Sequence, residues 1–584
     1  MVKGMKELGK VISGSIDKGV KIILEDTEDI ERYPIGSLVS ISGTTHNYLG
    51  IITDAGISTF EGNAYAVVNP RTSLTIKNVL LKVYKDKMRI QWIEIALIAQ
   101  RSSSAVSLAD TMPSFASVLI GPEDKDIAEF FGVENRIDMW NIGIPKTPKE
   151  IFVSIPINVR KLVNLSFGIF GKSGTGKTFL GNMLAGYMIL FNLIANDEKP
   201  LRLLIFDMHT EYALELKDNM GNPIADGVAK IFADFFLRYS PDEEIVKKRG
   251  LRFLRLNLKS IDIDDIRMIA PLFGLTETFL HYLSEFKSII SNKFRLGDYW
   301  FLFLLLSDDV IERLKEKEAG GELLEKVNNL IKDKTGFASI TILRRQLEEA
   351  LKKELGAGAF ASFKSQSAKL KRILSYPFTI DEDPIEEIVN NLIRRDGASV
   401  TISFGKYEKE TALYMLIANL IAKRLRDKIN EKTRAGEEPE TKIVIFLEEA
   451  HNFLGKKTYR FSPFGDIARE MRKKGVILCV IDQRPSELDP DVISMLWTSF
   501  IFSLTERSDI ETALIGAPRA HLFRKIVPLL RNREVLIFGE AVRFPIIVKI
   551  RDYKEAYELF RAKRMELMSE MRRREEGFRE AGLL

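Results

Sequence analysis

The 584-residue sequence contains few of the residues that build disulfide frameworks and zinc sites: one cysteine and five histidines. The single Cys479 excludes a disulfide framework or a cysteine-rich zinc site within the chain, and its apolar neighbours predict a buried structural residue. The first residues lack the apolar core of a signal peptide. The longest apolar run, taken as 299–306, is too short to cross a bilayer. We therefore expect a cytoplasmic protein without a membrane partner.

A strong charge of one sign is also missing, because 86 Lys and Arg oppose 81 Asp and Glu, for a net charge of +5. Bulk charge therefore gives no sign of nucleic-acid binding, and any basic surface must be local. Hydrophobic residues make up 45% and charged residues 29% of the chain, which is typical of a folded globular protein. The length predicts at least two domains.

Four regions of the chain differ in their pattern of apolar, polar and turn-forming residues. Residues 1–110 alternate short apolar strands with Gly and Asp turn signals, which predicts a small barrel or sandwich. Residues 111–160 carry five prolines and are interpreted as a connector. Residues 161–552 predict a mainly parallel α/β domain with a helical insertion at about 255–395, and 553–584 predict one charged helix. The strands of the α/β domain are expected at 166–170, 201–206, 399–404, 442–447, 476–481, 500–504 and 534–538.

The most specific motif is a complete P-loop, placed between an apolar strand and a helix-like run. Glycines let successive backbone N–H groups face one anion, and the helix N-terminus adds its positive end. Lys177 is predicted to reach the β and γ phosphates, and Thr178 to ligate Mg²⁺, so ATP and Mg²⁺ are the expected cofactors. The alternative is a glycine-rich loop without a ligand. The motif consists of Gly171, Lys172, Ser173, Gly174, Thr175, Gly176, Lys177 and Thr178.

An acid pair, Glu448 and Glu449, follows the apolar run at 442–447. Open α/β sheets bind ligands at the carboxyl ends of their strands. Glu448 is predicted to hold the metal, directly or through water, and Glu449 to orient or deprotonate the attacking water. Most P-loop enzymes carry Asp at the first position, so Glu448 departs from the commonest form. An acid pair that favours a helix N-terminus is the alternative.

Two more strand ends carry polar residues. Gln483 is predicted to sense the γ-phosphate or the attacking water, and a plain turn before Pro485 is the alternative. Asp207 and Glu211 are candidates to support the metal or the water, with a structural loop as the alternative. His209 and His451 are not predicted to form a metal site, because nothing in the sequence sets their separation.

These strings resemble the HerA family of the HerA/FtsK ATPases, which are archaeal hexameric DNA translocases. The resemblance extends over nearly the whole chain. It is carried by Glu448-Glu-Ala-His-Asn-Phe453, by Gln483-Arg-Pro-Ser-Glu-Leu488 and by Arg533-Glu-Val-Leu-Ile-Phe-Gly539. One departure is Asp207-Met-His-Thr-Glu-Tyr212, where the family often shows Asp-Pro-His-Gly-Glu-Tyr. This departure weakens the role assigned to the Asp207 loop.

The resemblance implies a RecA-like P-loop ATPase core with a helical insertion, preceded by a small N-terminal β-barrel. It also implies a hexamer with ATP sites between subunits, double-stranded DNA in the pore, and a NurA-type nuclease as partner in DNA-end resection. Such a site needs an arginine from the neighbouring subunit. Arg472 is the first candidate and Arg469 the second, and a solvated basic helix face is the alternative.

A short basic loop after the acid pair contains Lys456, Lys457 and Arg460. It is a candidate to contact DNA phosphates in a sequence-independent way, with a solvent-exposed loop as the alternative. Weaker candidates in the insertion are Lys369, Lys371 and Arg372. The Arg572–Arg574 run is followed at once by two acids, which favours a helix that braces a neighbouring subunit.

Two other functions stay open. A conjugation- or secretion-type ATPase is one, and an ATP-dependent ring that serves as a switch or scaffold for a nuclease is the other.

Overall fold

The computed structural model describes most of the chain, and its strands form two main sheets. The first seven strands are β1 (Gly9–Ser15), β2 (Gly19–Leu24), β3 (Leu38–Ser42), β4 (Asn47–Thr59), β5 (Arg89–Arg101), β6 (Val106–Leu108) and β7 (Val118–Ile120). The described residues are 6–59, 73–76, 78, 89–103, 105–132, 136–149, 151–195, 197–218, 220–316 and 318–580.

The first sheet is a closed N-terminal barrel. Its strands follow the order β2-β1-β7-β3-β4-β5, and antiparallel pairing of β2 with β5 closes the ring, while β6 pairs on the outer side of β5. Alternate side chains such as Val20, Ile22, Ile41 and Ile93 fill its interior. The predicted barrel is thus confirmed, but its last strand, β7, lies beyond the expected boundary at residue 110.

The remaining strands belong mainly to one large sheet. In chain order they are β8 (Met139–Pro145), β9 (Ile155–Asn158), β10 (Phe167–Phe170), β11 (Leu201–Asp207), β12 (Glu215–Lys217), β13 (Pro223–Asp226), β14 (Phe236–Ser240), β15 (Arg252–Phe253), β16 (Leu256–Asn257), β17 (Phe378–Thr379), β18 (Ser399–Ser403), β19 (Lys442–Glu448), β20 (Val476–Asp482), β21 (Thr498–Ile501), β22 (Glu534–Gly539) and β23 (Ile546–Ile550).

Eight parallel strands form the core of the large sheet, in the order β15-β14-β18-β11-β19-β20-β10-β21. Antiparallel strands β22, β23, β8 and β9 continue it on one side. All seven strands expected in the α/β domain overlap strands of this sheet. The P-loop strand β10 lies beside β20, which separates it from β19. This RecA-like arrangement confirms the predicted fold class and brings the carboxyl ends of the strands to one edge.

The stretch 111–160 is more than the connector that its prolines suggested. Besides β7 it contributes β8 and β9, which add two antiparallel strands to the large sheet. Pro156 lies in the edge strand β9, and Pro145 ends β8. Proline is tolerated in β9 because one side of an edge strand has no partner, and at Pro145 because β8 ends there, beyond its last pair with β9 at Gly143. Counting prolines therefore misplaced this boundary.

Helices cover both faces of the sheet and form the insertion. They are α1 (Asp124–Phe131), α2 (Val159–Leu162), α3 (Lys177–Ala195), α4 (Val228–Ile231), α5 (Glu243–Arg249), α6 (Ile263–Phe273), α7 (Glu277–Phe294), α8 (Trp300–Leu305), α9 (Asp308–Lys315), α10 (Glu318–Thr335), α11 (Ile340–Leu355), α12 (Ala357–Leu370), α13 (Pro384–Ile393), α14 (Thr411–Arg434), α15 (His451–Leu454), α16 (Pro463–Glu470), α17 (Pro490–Ser494), α18 (Arg507–Ala513), α19 (Ala520–Phe523) and α20 (Tyr553–Glu580). Helices α6 to α13 lie between β16 and β18, in the region where the sequence predicts the helical insertion.

Helix α3, which follows the P-loop, is central to the core. In the described part of the chain it alone is long and apolar enough to cross a membrane, judged by length and composition. It is longer than the run at 299–306 on which the membrane prediction was based. Its apolar window is 67% buried inside this fold, because α3 packs between the sheet and α20.

The start of α20 packs on α3 of its own chain. Tyr553, Ala556 and Phe560 are buried, and the Phe560 ring lies against Gly186, where a Cβ would approach it to 2.5 Å. The predicted bracing of a neighbour concerned the distal part of this helix. The side chains of Arg572 and Arg574 there lie outside the described residues.

Candidate active site

A cavity of about 320 Å³ lies at the carboxyl edge of the large sheet. Its walls come from the P-loop and from the segments that follow β11, β19 and β20. The sequence-predicted residues that line it are Ser173, Gly174, Gly176, Lys177, Thr178, Glu211, Glu448, Glu449 and Gln483. The fold thus brings together groups that are up to 310 positions apart in the sequence, as the distance from Ser173 to Gln483 shows.

The P-loop keeps its shape through glycine conformations and internal hydrogen bonds. Gly171 has φ +154°, and a Cβ there would lie 2.6 Å from the Cβ of Phe502. The Lys177 ammonium donates to the carbonyl oxygens of Gly171 at 2.7 Å and Lys172 at 2.9 Å. Thr175 Oγ1 donates to the same Lys172 carbonyl at 2.7 Å. Lys172 and Thr175 therefore shape the loop and are not part of the cavity lining.

Burial lowers the pKa of the Lys177 ammonium. The nearby carboxylates act in the opposite direction and raise it, Glu449 most and Glu448 next. A cation that is partly stripped of water and faces carboxylates is a strong local attractor for a polyanion. The P-loop therefore places positive charge on one side of the cavity. Glu448 and Glu449 form an acidic wall on the opposite side.

Glu448, the last residue of β19, is buried at the bottom of that wall. Its Oε2 accepts the backbone N–H of Met208 at 3.1 Å, which ties the end of β19 to the end of β11. Burial raises the pKa of Glu448 well above its usual value, and the Asp207 and Glu211 carboxylates raise it further. A carboxyl group in such surroundings is stabilised by a cation in the cavity.

Glu449 leaves the direction of the strand. Its backbone is left-handed, with φ +47°, a conformation that costs a side-chain-bearing residue about 1–2 kcal/mol. The turn directs the side chain toward β20, where Glu449 Oε1 accepts from Gln483 Nε2 at 2.6 Å. Glu449, the predicted water-activating residue, and Gln483, the predicted sensor, are therefore joined by a direct hydrogen bond.

Two residues beside Glu449 were not singled out by the sequence reasoning. From the sequence, His451 is weighed only as a metal ligand together with His209, and no role is assigned to Asp482. Asp482 Oδ2 accepts the His451 backbone N–H at 2.7 Å and lies 3.0 Å from His451 Nδ1. The ligand atoms of Glu449, His451 and Asp482 all lie within 4.8 Å of one another. Their position directly after β19 and at the end of β20 was the signal that could have identified them.

The pKa of His451 reflects this environment. Burial disfavours the charged imidazole, but the hydrogen bond to Asp482 and the charges of Asp482 and Glu449 outweigh it and raise the pKa. His451 thus lies next to Glu449, outside the cavity lining, and does not pair with His209, whose exposed imidazole Nδ1 is 3.7 Å from Glu408 Oε2.

The two acids predicted at the end of β11, Asp207 and Glu211, have different surroundings. Asp207 is fully buried, and its carboxylate accepts from Ser403 Oγ at 2.8 Å and from three backbone N–H groups at 2.9–3.1 Å, those of Glu211, Tyr212 and Ala213. Burial raises its pKa to about 6. These bonds use its acceptor capacity to hold the loop, which favours the structural alternative for Asp207.

Glu211, in contrast, faces the cavity. Burial raises the pKa of its carboxyl group, and the nearby Thr178 side chain opposes this rise. Of the two acids in this loop, Glu211 is therefore the one placed beside the expected metal position.

The two arginine candidates lie outside the cavity. Arg472 belongs to a 3₁₀ turn (Met471–Lys474) that precedes β20, so it lies at the amino edge of the sheet. The seven residues of β20 separate it from the cavity by about 20 Å. Its guanidinium lies 5.4 Å from the ring centre of Trp497, which is 46% exposed. Arg469 is bound to Asp466 at 2.6 Å and stacks on Tyr459.

The basic candidates for DNA contact differ in how they are paired. Lys456, Lys457 and Arg460 are exposed, and none of them forms an ion pair with a described residue. Phe461, the next residue, is 57% exposed. The loop therefore presents three free cations and an aromatic ring.

The insertion candidates are engaged within the chain. Lys369 donates to the Gly274 carbonyl, Lys371 pairs with Asp309 at 2.7 Å, and Arg372 pairs with Glu410 at 2.8 Å. The two ion pairs offset part of the charge of Lys371 and Arg372, and a backbone carbonyl engages Lys369, so these residues stay weaker candidates for DNA contact than the basic loop.

Comparison with known proteins finds similarity to one family. A family model described as the central domain of the helicase HerA matches residues 141–425. The central part of the chain is therefore similar to the HerA central domain. The HerA match begins within β8 and ends within α14, so it includes the P-loop and the Asp207 loop and stops before Glu448.

Curated HerA proteins resemble parts of the chain. It is 35% identical over 117 residues to a DNA double-strand break repair helicase HerA of Pyrococcus furiosus, covering 19% of this chain and 21% of that protein. It is 28% identical over 270 residues to a probable DNA double-strand break repair helicase HerA of Methanocaldococcus jannaschii, covering 41% and 52%. The matched stretches therefore span from about a fifth to about half of these HerA relatives.

Among solved structures, a bacterial conjugative coupling protein, TrwBdeltaN70, aligns with 74% of this chain and 92% of its own. The identity is 13% and the TM-score 0.42. This similarity is too low to bear on function.

Proposed function

We propose that this chain is an ATP-hydrolysing motor that moves along double-stranded DNA in the cytoplasm. The observation that carries the proposal is the convergence of a P-loop lysine, two acids and a glutamine in one cavity. The printed names of the HerA relatives, double-strand break repair helicases, direct the proposal toward DNA. On this basis we infer a role in DNA-end processing, with a NurA-type nuclease as partner.

The residues present fit ATP and Mg²⁺. The P-loop N–H groups and the start of α3 face the position where phosphates bind in such loops, and Lys177 adds a positive charge. Thr178 and Glu448 would hold Mg²⁺, directly or through water, with Glu211 beside Thr178. The metal would supply charge neutralisation on the phosphates. The raised pKa of the buried Glu448 supports a cation as the missing partner of that carboxylate.

Glu449 is the proposed base for hydrolysis. Its left-handed backbone turns the carboxylate into the cavity, and Gln483 holds one of its oxygens. Glu449 would orient the attacking water and accept its proton, while Gln483 would respond to the γ-phosphate. A base that is held before substrate binds needs less reorganisation during the reaction.

A ring of six subunits, with ATP between neighbours, is part of the proposal. Arg472 lies at the amino edge of the sheet and is about 20 Å from its own cavity, so any action of Arg472 on ATP must be on the ATP of a neighbour. Its exposure supports this role, whereas Arg469 is bound to Asp466. Subunits carrying Arg472→Ala mixed with subunits carrying Glu449→Gln should recover part of the ATPase activity. Mixed rings without any recovery would contradict the assignment.

Lys456, Lys457 and Arg460 are the proposed phosphate contacts with DNA. Free lysines and arginines beside an exposed ring are suited to a backbone without regard to sequence. Their loop starts directly after α15, and α15 begins two residues after Glu449. A movement of the acid pair can therefore be transmitted to the loop through this short helix.

The test of the proposal is steady-state ATPase activity with and without blunt linear duplex DNA, with Lys177→Ala as the blank. We expect duplex DNA to raise the wild-type rate several-fold, and the stimulation to fade with added salt as phosphate contacts weaken. Charge reversal at Lys456 and Lys457 should reduce the stimulation but not the basal rate. ATPase activity indifferent to DNA would favour the alternative of a partner-controlled switch or scaffold.

A further inference from the structure

We propose that His451, anchored by Asp482, is a positioning residue for Glu449 and attracts the carboxylate oxygen that Gln483 does not bond. This inference rests on the proposed function, because it assigns a role in the same hydrolysis. In addition to Gln483, it assigns a second residue that positions Glu449, the proposed base.

The anchor is Asp482, whose side chain is completely buried. One of its oxygens accepts the Arg484 backbone N–H at 2.8 Å, and the other accepts the His451 backbone N–H at 2.7 Å. Two backbone donors from two different strand ends thus fix this carboxylate in one orientation. A buried carboxylate in a fixed orientation can in turn fix the group that donates to it.

The imidazole of His451 is that group. Its Nδ1 lies 3.0 Å from Asp482 Oδ2, and since carboxylate oxygens only accept, the proton must be on Nδ1. The backbone N–H of His451 already joins the two strand ends at 2.7 Å. The side-chain bond is therefore not needed to close the turn, and it orients the ring.

The oriented ring is directed at Glu449. Nδ1 lies 3.6 Å from Glu449 Oε2, while Gln483 Nε2 donates to Oε1 at 2.6 Å. The polar N–H edge of the ring attracts Oε2 at this distance. Gln483 thus bonds Oε1, whereas the His451 ring, whose Nδ1 proton is donated to Asp482, acts on Oε2 by electrostatic attraction beyond hydrogen-bond distance.

The backbone of Glu449 shows why such support is useful. Its φ of +47° is a strained conformation, and both the backbone N–H and the side-chain Nδ2 of Asn452 bond its carbonyl oxygen at 3.1 Å. Asn452 thus holds the main chain, and His451 with Gln483 holds the side chain.

The test compares His451→Ala with His451→Asn, in which the amide Nδ2 can take the place of Nδ1 and donate to Asp482. We expect His451→Ala to lower kcat about tenfold with little change in KM for ATP, and His451→Asn to restore most of the loss. His281→Ala, an exposed histidine on α7, is the matched control and should leave turnover unchanged. Binding of a fluorescent ATP analogue shows that each variant retains a folded site.

A double-mutant cycle with Glu449→Gln then asks whether His451 acts through Glu449. In single-turnover hydrolysis we expect His451→Ala to cause no further loss once Glu449→Gln is present. Equal losses with and without Glu449→Gln, or a full rate in His451→Ala, would overturn the inference while leaving the proposed function intact. If wild type does not hydrolyse ATP at all, the proposed function fails and the inference fails with it.

Discussion

Two acids at the ends of neighbouring strands, Asp207 as the last residue of β11 and Glu449 directly after β19, differ in their surroundings. Asp207 is fully buried and accepts from Ser403 and from three backbone N–H groups of its own loop. Glu449 faces the cavity, accepts from one side chain, and stands on a strained backbone. The comparison teaches that an acid after a buried strand is available for chemistry only when local donors leave its oxygens free.

The largest expected effect is at Glu449. Glu449→Gln keeps the shape of the side chain but removes the proton acceptor, so we expect steady-state ATP turnover to fall 10²–10³-fold. Binding of ATP should persist, because Lys177 and the P-loop are unchanged. Turnover by phosphate release and affinity by fluorescence titration measure the two quantities separately.

The matched control is Glu211→Gln, which changes an acid of the same cavity that follows the other strand. We expect less than a tenfold loss, because Glu211 lies near Thr178 and has no assigned part in proton transfer. An equal loss in both variants would remove the distinction between the two strand ends.

At Asp207 the expected effect is on stability. Asp207→Ala leaves four buried donors without an acceptor, and stranded donors cost about 1–3 kcal/mol each, so we expect a loss of about 3–5 kcal/mol after partial relaxation. Asp333→Ala, at an exposed position on α10, is the control. A lower thermal midpoint for the Asp207 variant alone is expected, and equal midpoints would show that the loop does not depend on this carboxylate.

The smallest effect is a dependence on pH. The pKa of Asp207 is about 6 in the folded chain, above the ordinary value of 3.8, so the folded state binds the extra proton between these values. Stability contributed by this group is therefore present below about pH 4 and is lost as the pH rises to about 6, by at most about 3 kcal/mol. Asp207→Asn should lack this component.

The measurement is the urea midpoint of wild type and Asp207→Asn at several values between pH 4 and pH 7. The difference between the two midpoints should change across pH 4 to 6 and stay constant above. The same pH dependence in both proteins would show that Asp207 does not titrate in this range.

The sequence predicted the sheet and the P-loop well, because both depend on short stretches of chain. Buried parallel strands appear as continuous apolar runs, and a phosphate loop needs glycines at set positions. The cavity lining at Lys177, Thr178, Glu448, Glu449 and Gln483 follows from those two signals, since parallel strands end at one edge of the sheet.

What the sequence did not resolve depends on contacts between distant segments. Ser403 lies 196 positions from Asp207 in the sequence, and backbone N–H groups carry no sequence signal, so the structural role of Asp207 was left as an alternative. The link from His451 to Asp482 spans 31 positions. The strands β8 and β9 were missed because a proline at a strand end, as in β8, or in an edge strand, as in β9, resembles a proline of a linker.

Displacement of a third strand from a DNA triplex tests the central claim most directly, because it requires movement along duplex DNA and not only hydrolysis. With ATP, the wild-type protein should release a labelled third strand at a rate that follows ATP concentration, and Lys177→Ala and Glu449→Gln should release none. Full ATPase activity with a third strand that stays bound would contradict the motor and favour a switch.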